Sequence, residues 1–245
     1  MTMEMWALGF HIDPFRLAVF ILLNIPLLIA LSYFAGFEET SQLMADVLDA
    51  FSAYAVGFVA AALLLALFGI LGPGMSADEV IGKIAVQAVP TSIGAMLARS
   101  QLSERQPVED NHRREHDREG LFHAVAGAFY LSFAFAPTEE MMLISYKLAP
   151  GSVLAVMLVS IVFLHCFIHA SVAAGKSPIP KDVIPFWTVF IHFTLTGYMI
   201  ALLISAYMLW VFGRTDDVSV GQTLQATIIL GFPAALGAGA ARLIF

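Results

Sequence analysis

Apolar residues fall in long runs separated by short polar breaks, from one end of the chain to the other. A helix needs about 20 consecutive apolar residues to cross a bilayer core. Runs of roughly that length cover 17–37, 47–71, 80–97, 121–136, 153–174, 184–212 and 224–245. The pattern predicts an all-α polytopic bundle of seven transmembrane helices, forming one membrane domain over 1–245. The third run carries Lys83 and Gln87. The fourth stops before Pro137, and apolar character resumes from Met141 to Tyr146. It reads either as a short span or as one long kinked helix reaching Leu148. Proline disrupts a helix but is tolerated in membranes.

Composition agrees with the pattern. Of 245 residues, 59% are hydrophobic and 13% charged, and the mean hydropathy is +0.83. A soluble domain carries about 25% charged and about 45–50% apolar residues. These values exclude a disordered chain and an ordinary soluble enzyme, and make the lipid bilayer the first partner. Cys166 is the only cysteine, so there is no intrachain disulfide. The net charge of −7, with no basic patch, excludes nucleic acid. Arg16 precedes a run of 21 residues with no small-residue cleavage site after it, so the first helix is expected to be retained.

Charge sets the expected orientation. With seven spans, Arg16, Lys83, Lys147 and Arg214 lie on one side. Arg99, Arg105, Arg113, Arg114, Arg118, Lys176, Lys181 and Arg242 lie on the other. The side richer in basic residues faces the cytoplasm, so the N-terminus is expected outside and the C-terminus inside. Segment 99–120 holds five Arg and six acidic residues, and reads as a charged, self-neutralising cytoplasmic loop. Trp6, Trp187 and Trp210 fall near predicted interfaces, as aromatic belts do.

The chain also carries an internal similarity. Pro90-Thr91-Ser92-Ile93-Gly94-Ala95-Met96-Leu97-Ala98-Arg99 aligns with Pro233-Ala234-Ala235-Leu236-Gly237-Ala238-Gly239-Ala240-Ala241-Arg242, with Pro, Gly, two Ala and Arg shared. Leu17-Ala18-Val19 resembles Leu154-Ala155-Val156, and Asp46-Val47 matches Asp182-Val183. These offsets fit a parallel 3+1+3 duplication, a plan that some transporters use. Pro90, Gly94 and Ala98 form a small-residue stripe, as do Pro233, Gly237 and Ala241, and Ala124, Ala128, Ser132 and Ala136. Small stripes let helices approach closely in lipid, so the third, fourth and seventh spans are expected to pack tightly. A homo-oligomer interface is the other use of such a face.

Ionisable groups at membrane depth are costly and point to function. Glu139 and Glu140 follow Pro137. On a short span they are solvated at the surface. On a long span they sit inside the membrane, where they would bind a cation or share a proton, with Lys147 as partial counter-ion. His165 and His169 share a helix face and could hold a metal with His192 as third ligand. Otherwise they are interhelical hydrogen-bonding groups. Asn24 and His123 read as polar packing groups. Asp46 and Asp49 read as part of a solvated acidic cluster with Glu38 and Glu39, or as a vestibule that concentrates cations. The seventh span has no lysine, which excludes retinal.

Two resemblances bear on these residues. Glu139-Glu140 resembles the start of the Glu-Glu-x-x-x-Arg motif of intramembrane glutamate proteases that process prenylated proteins. Here Ile144 stands at the arginine position, Ile161 and His165 precede His165 and His169 where that family has Phe, and Thr196 follows His192 where it has Asn or Asp. The chain length, the seven runs, Ala136-Pro137-Thr138-Glu139-Glu140 and the Pro-x-x-x-Gly-Ala-x-x-Ala-Arg segments together resemble an uncharacterised family of bacterial inner-membrane proteins. That resemblance implies topology and localisation in the inner membrane, and carries no activity.

The leading expectation is a channel or secondary transporter for a small cation or proton, bound at Glu139 and Glu140 between the two triplets. A membrane hydrolase is the alternative, with Glu139 or Glu140 as general base and His165, His169 or His192 as partners. A non-catalytic partner subunit docking through segment 99–120 is the third.

Overall fold

The structure is a computed structural model that describes residues 11–34, 43–102, 113–136, 138–173 and 186–244. Trp6, Glu38, Glu39, Arg105, Pro137, Lys176, Lys181, Asp182 and the middle of the charged segment lie outside the described residues. So do the side chains of Arg99, Arg113, Arg114 and Arg118. The helices are α1 (Pro14–Phe34), α2 (Leu43–Leu67), α3 (Ala77–Leu102), α4 (Arg113–Phe135), α5 (Glu139–Lys147) and α6 (Pro150–Ala173). Then come α7 (Phe186–Val189), a π-helical turn (Phe190–Leu195), α8 (Thr196–Val211) and α9 (Val220–Ile244).

Several helices start before their apolar runs because polar caps set the ends. The Asp13 carboxylate accepts from Phe15 N at 2.9 Å and Arg16 N at 3.1 Å, ahead of Pro14 in the first turn of α1. Ser76 caps α3 through Glu79 N at 3.2 Å. Ser219 and Gln222 cap α9 reciprocally, each side chain meeting the other's backbone N–H at 3.3 Å. At the far end of α2, Gly69 takes φ 70° and stops the helix at Leu67, short of the apolar run's end.

Among the described residues, six helices are long and apolar enough to cross a membrane. They run Pro14–Tyr33, Leu43–Leu67, Ala77–Ala98, Pro150–Ala173, Phe190–Val211 and Val220–Ile244. Gly120–Phe135 with Glu139–Lys147 makes a seventh only as a broken pair, bent by 91°. The protein is an all-α polytopic membrane bundle of six to seven spans.

The chain divides into two compact units. The first comprises Met1–Gln106 with Val211–Gly213, and the second Pro107–Trp210 with Arg214–Phe245.

In the first unit α3 packs against both α1 and α2. The buried face of α2 is Asp46, Ala50, Tyr54, Gly57, Ala61 and Leu65, at spacings of three and four. Gly57 is the closest approach. A Cβ there would lie 2.7 Å from the Ala88 carbonyl oxygen and 2.8 Å from Ser92 Cβ.

In the second unit α9 packs against α4, α5 and α6. Its core gathers Ala124, Ala128, Leu164, Ile168, Tyr198, Ala234, Ala235 and Ala238. Gly127 of α4 meets Gly237 of α9 backbone to backbone, and a Cβ on either would overlap the other's carbonyl. Lipid tails are as apolar as leucine, so close van der Waals contact of this kind holds the pair together. Arg242 adds a pin, donating from Nε to the Gly120 carbonyl at 2.9 Å.

The small stripes behave differently in the two places. On α4 and α9 they form the expected tight contact. On α3, no neighbouring element among the described residues comes within 4 Å of where a Gly94 Cβ would stand, and Ala98 is exposed. Pro90 is buried, so among the described residues only that end of the α3 stripe is covered.

Candidate functional site

The helix α5 follows from a break and an amphipathic nine-residue sequence. Thr138 leads into it in extended conformation. Glu139 and Glu140 occupy its first turn and Lys147 its last, the charge placement that a helix dipole favours. Met141, Met142 and Ser145 face inward. Gln225 of α9 donates from Nε2 to the carbonyls of Ser145 and Leu148, which ties the C-terminal end of α5 down.

Both glutamates are exposed. They line an open depression of about 420 Å³ together with Met142, Leu143, Tyr146 and Arg214. Lys147 is exposed at the other end of α5, so the basic residue sharing the depression is Arg214. Sequence spacing could not pair Arg214 with α5, because 74 residues separate it from Glu140. Two carboxylates and one guanidinium around an open depression present both signs of charge to whatever enters it.

The first unit holds a different polar feature, inside its spans. Asn24 Nδ2 donates to Ser92 Oγ at 2.9 Å, and Ser92 Oγ donates to the Val89 carbonyl at 2.7 Å. Tyr54 OH donates to the Ile21 carbonyl at 3.0 Å. Asn24 is only 1% exposed, and among the described residues its Oδ1 meets no donor in good hydrogen-bond geometry. A buried unpaired amide oxygen is unfavourable, by about 1–3 kcal/mol.

Toward the C-terminal end of α1, Ser32 Oγ donates to the Asp46 carboxylate at 3.0 Å. Asp46 is 7% exposed, so it is buried and not part of a solvated acidic cluster. The acceptance of Ser32's proton, from a helix it does not belong to, is what lets it sit there. Toward the N-terminal end of α3, Lys83 Nζ meets the Glu79 carboxylate at 2.6 Å. Lys83 is 8% exposed.

Successive spans run in opposite directions, so α1 and α3 are parallel. At 1.5 Å per residue, Ser32 stands about 12 Å from the level of Asn24, and Lys83 about 13 Å from Ser92 on the other side. The buried polar groups are thus stepped along about 25 Å of the unit, close to a bilayer's apolar thickness of about 30 Å.

The histidines of the second unit come together in part. His165 Nε2 and His169 Nε2 are 3.1 Å apart, and His165 Nδ1 is 2.8 Å from Thr194 Oγ1. His192 lies on the same π-helical turn as Thr194 but is exposed. Among the described residues, no three His, Cys, Asp or Glu side chains converge on a metal-sized point. His165, His169 and His192 are therefore not brought together as a three-ligand set among the described residues.

Over residues 1–245 the chain matches the family described as "integral membrane protein (DUF2391)". No curated protein and no solved structure matches it. The chain belongs to this family of integral membrane proteins.

Proposed function

We propose that this member of an integral membrane family is a channel or secondary transporter that moves a small cation, or a proton, across the bilayer. The observation that carries the reading is the set of buried polar groups stepped through the first unit: Lys83, Asn24, Ser92, Tyr54 and Asp46. Groups of this kind inside apolar helices are expensive, and they mark ion and proton pathways. In this reading the wet depression at Glu139 and Glu140 collects the cation by its field, with Arg214 limiting how tightly it is held.

The membrane is the bacterial inner membrane, with the N-terminus outside and the C-terminus cytoplasmic, as the distribution of basic residues implies. The transporter arises from a parallel 3+1+3 duplication. Its support is that α3 and α9, which carry the two Pro-x-x-x-Gly-Ala segments, are the helices most buried: 61% and 56% of their apolar windows, against 44% or less for the other long spans. Within their own units α3 contacts both α1 and α2, and α9 contacts α4, α5 and α6.

Reconstitution into proteoliposomes tests the proposal. Wild type should carry a saturable flux of one small cation. Glu139→Gln/Glu140→Gln should weaken its apparent affinity, and Asn24→Leu/Ser92→Ala should reduce its maximal rate. A flux that both double variants leave unchanged would overturn the assignment.

A further inference from the structure

We propose that His165 and His169 form a two-imidazole site for a divalent transition-metal cation, with Thr194 as the residue that positions it. The two Nε2 atoms converge, 3.1 Å apart. With metal–nitrogen distances of about 2.0–2.1 Å, that separation gives an N–metal–N angle of about 95–100°. Such an angle lies between the square-planar and tetrahedral values, so an ion can seat between the rings with little movement of either.

The outer atoms fit as well. Thr194 Oγ1 lies 2.8 Å from His165 Nδ1. When it accepts the Nδ1 proton, the Nε2 lone pair is left facing His169. Metal-bound histidines are commonly oriented through their other ring nitrogen in this way. Thr194 is fully buried, so water does not compete for its hydroxyl. It sits on the π-helical turn Phe190–Leu195, a rare local structure that recurs at functional sites.

Access and charge are favourable too. His165 is half-buried and His169 exposed, so an ion can enter with waters filling its remaining positions. His169 lies one turn from the C-terminal end of α6, the negative end of that helix dipole. Imidazole donors suit zinc, copper and nickel rather than magnesium or calcium. The site is independent of the flux assigned to Glu139 and Glu140, and either can fail without the other.

The alternative is a plain hydrogen bond between the rings, with no ion. Equilibrium dialysis separates the two, using the whole protein in nanodiscs with any polyhistidine tag removed, against zinc or cobalt. Wild type should bind about one ion per chain, with cobalt acquiring the visible absorption of nitrogen ligation. His169→Ala, at an exposed position that tolerates truncation, should weaken binding at least tenfold, as should His165→Ala. Thr194→Val keeps the shape and removes the acceptor, and should weaken binding by about 10–100-fold. His192→Ala should bind as wild type. No binding by folded wild type, or His169→Ala binding as tightly as wild type, would overturn the site.

Discussion

Replacing Gly237 by alanine adds one methyl group at the tightest helix contact in the second unit. The new Cβ would overlap the Gly127 carbonyl and lie 3.1 Å from Leu131 Cγ. The first of these neighbours is backbone, so it yields only if α4 and α9 move apart. Overpacking of this kind is destabilising by about 1–3 kcal/mol. Alanine's better helix propensity returns about 0.5–1 kcal/mol. The net expectation is a loss of up to about 2.5 kcal/mol. For a chain of this length, each kcal/mol moves the unfolding midpoint by about 2–4 °C, so Gly237→Ala should unfold several degrees below wild type. Gly94 is the internal control. It holds the same place in its Pro-x-x-x-Gly-Ala segment, but a Cβ there meets nothing within 4 Å. Gly94→Ala should be neutral or slightly stabilising. Thermal unfolding of both variants in the same detergent, at one scan rate and followed by tryptophan fluorescence, gives the comparison. If Gly237→Ala unfolds with Gly94→Ala or above it, the reading of α4 and α9 as a backbone-to-backbone contact is wrong.

Other perturbations follow the same physics. Ser92→Ala removes the acceptor of the Asn24 Nδ2 hydrogen bond and should destabilise by about 1–3 kcal/mol, while Asn24→Leu/Ser92→Ala, which removes both polar groups, should recover much of the loss in the same unfolding assay. Gln225→Leu removes both donors to the Ser145 and Leu148 carbonyls, and should speed hydrogen exchange across α5 while leaving α6 protected. Lys83→Met leaves Glu79 facing a buried position without its cation, and should lower thermal stability more than Lys83→Met/Glu79→Gln does.

The long helices were legible because run length alone identifies a span, and caps moved their ends by only a few residues. The α4–α5 break was half legible. Pro137 marks an interruption, but a proline does not say which way the chain leaves it. The helix beyond the 91° turn is held by Gln225, 78 positions beyond Lys147, which no local pattern pairs with it. Asp46 looked solvated because it precedes an apolar run, and its burial rests on Ser32 of another helix. Gly94 and Gly237 show the limit most plainly. They occupy one position of one motif, yet only Gly237 meets a backbone. A motif fixes what a helix face offers, and tertiary structure decides what arrives to use it. Gln87 and Ser92 were likewise visible as polar interruptions of an apolar run, but the partnership of Ser92 with Asn24 spans 68 positions.

Cation flux into sealed vesicles is the most direct measurement. Protein reconstituted in one lipid composition should pass protons, sodium or potassium above protein-free vesicles, saturating with concentration. Glu139→Gln/Glu140→Gln should raise the half-saturating concentration. Flux indistinguishable from protein-free vesicles for all three cations, with folded and correctly inserted protein, would contradict the account.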